Sequence, residues 1–107
     1  MKTIAITLGD PAGIGPEIAL KAIQSLTTAP DAAQTRLLLI GDAGTLAATG
    51  NKLGLPVPPV IRADDLVTAP SAAILPTSRP AEPIETGRVS AEGGRQAFEA
   101  VRMAVDL

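Results

Sequence analysis

The chain has 107 residues, enough for one small domain, and its 46% apolar content is enough for a core. Nine basic and eleven acidic residues give a formal charge of −2 with neither sign in a block, which excludes the electrostatic footprint of a nucleic-acid binder; the lone aromatic, Phe98, leaves no platform for stacking bases. Cysteine and histidine are both absent, which excludes disulfides, thiolate chemistry, imidazole bases and imidazole metal ligands.

Thr3–Leu8 is a short apolar, partly β-branched run and predicts a buried strand. It meets Gly9-Asp10-Pro11 too early to be a signal-peptide core or a membrane span, so a soluble, cytoplasmic protein is expected. Gly9–Gly15 is a loop with three glycines and a proline. Pro16 suits the first helical position, where its missing N–H costs nothing, and Glu17 faces the positive end of the helix dipole. Ile18, Ala19, Ala22, Ile23 and Leu26 recur every three or four residues and predict the apolar face of this helix, which should fade near Ser25–Thr28.

Arg36–Gly41, with Leu37-Leu38-Leu39-Ile40 at its centre, predicts a second buried strand. Asp42 fits a helix N-cap. The helix it opens starts at Ala43 and runs to Ala48 or as far as Leu53, with Gly50 and Gly54 both candidates to close it. Strand, helix, strand, helix in this order predicts an α/β fold with parallel pairing. Residues 55–83 hold seven of the ten prolines. Val60-Ile61 and Ala72–Leu75 are short apolar runs among them, expected as short strands at an edge, where proline is tolerated. Residues 80–87 are expected to be loop. Ser90 fits the N-cap of a last helix reaching about Leu107, with Ala97, Val101, Ala104 and Val105 on its apolar side and Phe98 and Met103 as packing residues. Gly93 and Gly94 weaken its first turn by about 1 kcal/mol each relative to alanine, and glycines there allow close approach of a backbone or ligand. No internal repeat is present. The apolar ending Val105-Asp106-Leu107 reads as that of a partial chain.

The stretch richest in chemistry is Gly9-Asp10-Pro11-Ala12-Gly13-Ile14-Gly15-Pro16-Glu17. Glycines let a backbone turn sharply and approach a ligand, and the helix that follows offers unpaired N–H groups to an anion. A tight strand-to-helix connection without a ligand explains the same residues. A P-loop is excluded because no Lys-Ser/Thr pair follows the glycines; a dinucleotide fingerprint is excluded because the position of its third glycine is Ile18. Asp42 has two readings, a ribose-binding acid or a helix cap, and the cap is the simpler. Arg88 and Arg95 flank a helix start, either as anion contacts or as solvated surface charges. Ser90 has no base to activate it as a nucleophile.

Ile6 through Ile18, read as Ile6-Thr7-Leu8-Gly9-Asp10-Pro11-Ala12-Gly13-Ile14-Gly15-Pro16-Glu17-Ile18, resembles the opening signature of the 4-hydroxythreonine-4-phosphate dehydrogenase family. Leu39-Ile40-Gly41-Asp42 with Leu53-Gly54-Leu55, and Thr86 through Gly94, resemble later family segments in the same order, so the resemblance runs nearly end to end. It implies the strand-helix-strand-helix portion of an isocitrate/isopropylmalate dehydrogenase-like fold, with residues 1–107 as the N-terminal fragment of a two-domain enzyme and no internal boundary. It further implies a homodimer that oxidises and decarboxylates a phosphorylated four-carbon hydroxy acid, such as 4-phosphohydroxy-L-threonine, with NAD and a divalent metal, in pyridoxal phosphate biosynthesis. By the resemblance Gly13, Ile14 and Gly15 lie near the cofactor, Asp10 braces the loop, and Glu17 is a dipole partner rather than a base. Catalytic residues and metal ligands are implied to lie outside these residues, so the fragment alone is expected to be inactive. The competing expectation is a stand-alone module holding a phosphate-bearing ligand at the Gly13–Glu17 helix start.

Overall fold

In the computed structural model, which describes residues 2–9, 13–27, 35–68, 71–77 and 91–106 (the backbone alone for residues 2 and 66–68), strands and helices alternate. The order is β1 (Lys2–Thr7), α1 (Gly15–Thr27), β2 (Thr35–Gly41), α2 (Ala43–Leu53), a 3-10 helix (Ala63–Thr68), β3 (Ala72–Pro76) and α3 (Ala91–Asp106). The strands form one parallel sheet in the order β1-β2-β3, with Ile6 opposite Leu39 and Leu39 opposite Ile74.

The aliphatic run of β2 is continuous because both faces of the central strand are covered. Leu37 and Leu39 point to one side and pack with Ala19, Leu20 and Ile23 of α1, Leu46 of α2, Leu8 and Ile74. Leu38 and Ile40 point to the other and pack with Ala73, Leu75 and Ala100, with Met103 and Ala104 of α3 alongside. The result is a three-layer arrangement, α1 and α2 on one face and α3 on the other. Leu38, Leu39 and Ile40 are fully buried, and each contributes roughly 1.5–3 kcal/mol by leaving water.

Local signals set the helix ends. Asp42 accepts from the Thr45 N–H at 3.1 Å and the Thr45 hydroxyl at 2.5 Å, the N-cap expected of it. Gly54, rather than Gly50, closes α2 in the left-handed conformation, its N–H reaching the Gly50 carbonyl. Gly50 is instead buried inside the helix. At the end of α1 no glycine is needed: the Thr27 hydroxyl donates to the Ile23 carbonyl at 2.7 Å. Asp42→Ala is expected to lower stability by about 1 kcal/mol in a urea titration, whereas Asp42→Asn, which keeps an acceptor oxygen, should lose much less. Equal losses for the two variants would show that the charge, not the cap, is what matters.

Two expected faces are corrected. On α1, the buried residues are Pro16, Ala19, Leu20 and Ile23, while Ile18 is 55% exposed and Leu26 is also exposed. Leu20 is buried in their place, in the cluster that also holds Leu46 of α2. On α3, the buried residues are Gly93, Gln96 and Ala100; Val101 and Val105 are exposed, and Phe98, expected to pack, is 72% exposed. Met103 does pack, beside Leu38 and Ile40, and Ala97 and Ala104 are half-buried. Gln96 enters the buried face because the Thr77 hydroxyl donates to its Oε1, which satisfies two buried polar groups at once. Of the two glycines, Gly93 is buried and Gly94 faces open space. The short strand expected at Ala72–Leu75 is β3, and Val60 forms a single parallel bridge to Ile74 on its outer edge. The Ser90 cap, Arg88, Asp10 and the loop expected at 80–87 lie outside the described residues.

Candidate functional site at the first glycine loop

The glycine loop sits at the carboxyl end of β1. Leu8 extends the ladder, donating its N–H to the Ile40 carbonyl at 3.1 Å, and Gly9 follows with φ of +70°, a left-handed conformation that turns the chain out of the sheet. Past residues 10–12, Gly13 and Ile14 lead into α1, and the Ile14 carbonyl accepts from the Ile18 N–H at 3.1 Å.

Gly15 has a structural duty. A Cβ there would overlap the Leu8 carbonyl oxygen, so the helix start is drawn against the end of the strand more closely than any side chain permits. Gly13 and Ile14 are exposed, Ile14 at 70%, and line a concavity of about 130 Å³ with Pro16, Glu17, Thr49, Lys52 and Leu53. The structure thus separates the three expected cofactor-side residues: Gly13 and Ile14 face the concavity, and Gly15 packs behind it. Thr49, Lys52 and Leu53 were not singled out from sequence. Their spacing of three and four residues puts them on one face of α2, which was readable, but nothing local says that this face meets the glycine loop.

The electrostatics of the concavity are mixed. Glu17 carries a negative charge at the amino end of α1 and pairs with Lys21 at 3.2 Å; Lys52 stands on the opposite wall. A carboxylate in the first turn already complements the helix dipole and opposes a second anion there. The volume is below the roughly 300–1,000 Å³ of a small-molecule pocket, so the described residues form a wall rather than a whole site.

Arg95 is exposed and bound within its own helix, with Nε 3.1 and 3.0 Å from the two Glu92 carboxylate oxygens and a nitrogen 3.1 Å from Glu99. Hydrogen bonding to Glu92, reinforced by the charges of Glu92 and Glu99, holds its guanidinium above the ordinary arginine value despite some desolvation. Asp42 is committed to its cap. Among the described residues no group of three or more His, Cys, Asp or Glu side chains is placed to hold a metal ion, and no helix is long and apolar enough to cross a membrane.

No protein-family model matches the chain. Individual relatives do. A protein of Bradyrhizobium diazoefficiens, provisionally named a D-threonate 4-phosphate dehydrogenase, is 41% identical over 105 residues, covering 97% of this chain and 30% of its own length. A 4-hydroxythreonine-4-phosphate dehydrogenase of Ralstonia nicotianae is 37% identical over 109 residues, covering 99% and 30%. The crystal structure of a 4-hydroxythreonine-4-phosphate dehydrogenase from Burkholderia phymatum superposes with a TM-score of 0.76 at 32% identity, over 100% of this chain and 32% of that one. The α/β layers described above are accordingly the strand-helix-strand-helix portion of an isocitrate/isopropylmalate dehydrogenase-like fold. In sequence and in backbone the chain is similar throughout to the 4-hydroxythreonine-4-phosphate dehydrogenase family, and it spans about a third of the length of the relatives it matches.

Proposed function

We propose that the chain is the N-terminal third of a two-domain, NAD-dependent dehydrogenase that works in the cytoplasm as a homodimer. Its substrate is a phosphorylated four-carbon hydroxy acid, and the reaction is oxidation followed by loss of carbon dioxide, in the route to pyridoxal phosphate. The observation that carries this reading is the glycine loop at the carboxyl end of β1, placed in one order with β2 and α2 along a chain 34–41% identical to relatives with dehydrogenase names. The carboxyl ends of parallel strands are where open α/β sheets bind ligands. The relatives' names are divided between 4-hydroxythreonine 4-phosphate and D-threonate 4-phosphate, and 4-phosphohydroxy-L-threonine is taken here as the first substrate to try.

The described residues suit the cofactor's side of such a site. Gly13 permits close approach of the backbone, and the exposed Ile14 offers an apolar wall; Gly15 contributes by holding both against the strand end. Bound beside these residues, NAD would supply the acceptor for a hydride leaving the substrate carbinol. A divalent metal does not fit here, because the chain has no histidine and the described residues show no carboxylate cluster; no step through a metal is assigned to these residues. The stand-alone phosphate module is the weaker reading, since Glu17 occupies the helix start that would hold the phosphate.

NADH formation by the full-length protein with each of the two phosphorylated acids and a divalent metal tests this. Turnover is expected from the full-length protein and none above background from the 107 residues alone. Ile14→Asp in the full-length protein is expected to raise the KM for NAD by roughly tenfold, about 1.4 kcal/mol, with little change in kcat. A full-length protein that reduces no NAD with either acid would sink the dehydrogenase reading, and an unchanged KM would remove Ile14 from the cofactor site.

A further inference from the structure

A dinucleotide brings a charge that the glycine loop does not answer. Its pyrophosphate is negative on each phosphate, and a glycine-rich turn at a helix start is the usual cradle for one. Neither such turn has its spacing here: Ile18 stands where a dinucleotide fingerprint has its third glycine, and no Lys-Ser/Thr pair follows Gly15. The start of α1 is also taken. Glu17 lies in its first turn, and its carboxylate already complements the helix dipole. An anion entering the concavity therefore needs a cation on another wall.

That wall is α2. Thr49 and Lys52 are three residues apart, so they rise from one face of the helix, and both line the concavity with Gly13, Ile14 and Glu17. Lys21 is not available to a ligand, because it pairs with Glu17 at 3.2 Å across one turn of α1 and offsets that charge. Lys52 is exposed and makes no ion pair among the described residues. Its backbone is fixed, since Gly54 closes α2 two residues later. Thr49, half-buried beside it, adds a hydroxyl. A lysine in the last turn also complements the dipole of α2, but any solvated lysine there does that, and this one borders the glycine loop.

We propose that Lys52, with the Thr49 hydroxyl beside it, binds the pyrophosphate of the dinucleotide on the α2 side of the concavity. The substrate carries a phosphate too; the cofactor's is assigned because Lys52 shares its concavity with Gly13 and Ile14, the residues read above as the cofactor's side. The assignment rests on that reading of the chain as part of an NAD-dependent dehydrogenase. Lys52 acts through its charge on binding and takes no part in hydride transfer.

Calorimetric titration of the full-length protein with ADP and with adenosine tests this without any turnover. ADP carries the cofactor's diphosphate, and adenosine lacks it. In Lys52→Gln the affinity for ADP is expected to fall about tenfold and that for adenosine to stay within about twofold, whereas Lys52→Arg, which keeps the charge, should hold ADP within about threefold of the parent. Added salt should weaken ADP binding by the parent more than by Lys52→Gln, because the contact is exposed. An unchanged ADP affinity in Lys52→Gln overturns the proposal and leaves Lys52 as a dipole partner of α2. Equal losses for ADP and adenosine also refute it, since the wall and not the charge would then have changed. A parent protein that binds no ADP has the same consequence. A raised KM for the phosphorylated acid with ADP affinity unchanged would give Lys52 to the substrate's phosphate instead. NADH formation on the same preparations separates the two readings. Selective loss of ADP binding without turnover by the parent keeps the phosphate site and discards the dehydrogenase; turnover with ADP affinity unchanged in Lys52→Gln does the reverse.

Discussion

Leu39→Ala is expected to destabilise the fold by about 3–5 kcal/mol, the upper part of the range for a large-to-small change in a core. Leu39 is fully buried in the middle of the central strand and packs among side chains from α1, α2 and β3. The loss combines the transfer of the deleted methyl and methylene groups with a cavity that strands fixed on both sides cannot collapse. A domain of this size has few kcal/mol to lose, so the variant should be largely unfolded at room temperature by circular dichroism. Ile18→Ala is the reference. Ile18 is as apolar as Leu39 and was expected to face the core, but it is exposed, and its loss should stay under about 1 kcal/mol. Comparable losses at the two sites would mean that the inner face of α1 is wrongly assigned.

Gly15→Ala is expected to cost about 2 kcal/mol or more, although alanine is the better helix former by about 1 kcal/mol. The added Cβ would meet the Leu8 carbonyl oxygen, a backbone atom that cannot rotate away, so the loop-to-helix junction must move. Gly94→Ala makes the contrast. Gly94 lies in α3 with open space where the Cβ would go, and the same substitution there should stabilise by roughly 0.5–1 kcal/mol. Urea titrations of both variants decide the matter: opposite signs support the close approach at Gly15, and a stabilised Gly15→Ala would refute it.

The elements that could be read from sequence are those with local causes. Leu37–Ile40 reads as a buried strand because four aliphatic residues in a row suit a sheet covered on both faces. Asp42 reads as a cap because its acceptor lies three residues from the N–H it serves. The inner face of α3 could not be read in this way. Apolarity pointed to Val101 and Val105, yet Gln96 is buried because Thr77, 19 residues earlier, completes its hydrogen bonding. Phe98 reads as a packing residue from its apolar character, yet nothing among the described residues covers it. At the candidate site, the motif located Gly13, Ile14 and Gly15, but only the overlap with Leu8 separates Gly15 from the two that face outward. Thr49, Lys52 and Leu53 came from another helix, brought in by the packing of α2 on α1, a contact that no spacing along the chain encodes.

The intact mass of the protein isolated from its source tests the central claim most directly. A mass about three times the 10.8 kDa of these residues is expected, matching a dehydrogenase of which they form one third. A mass of 10.8 kDa would contradict the account, because a chain without histidine or a second domain would then have to be explained as a binding protein.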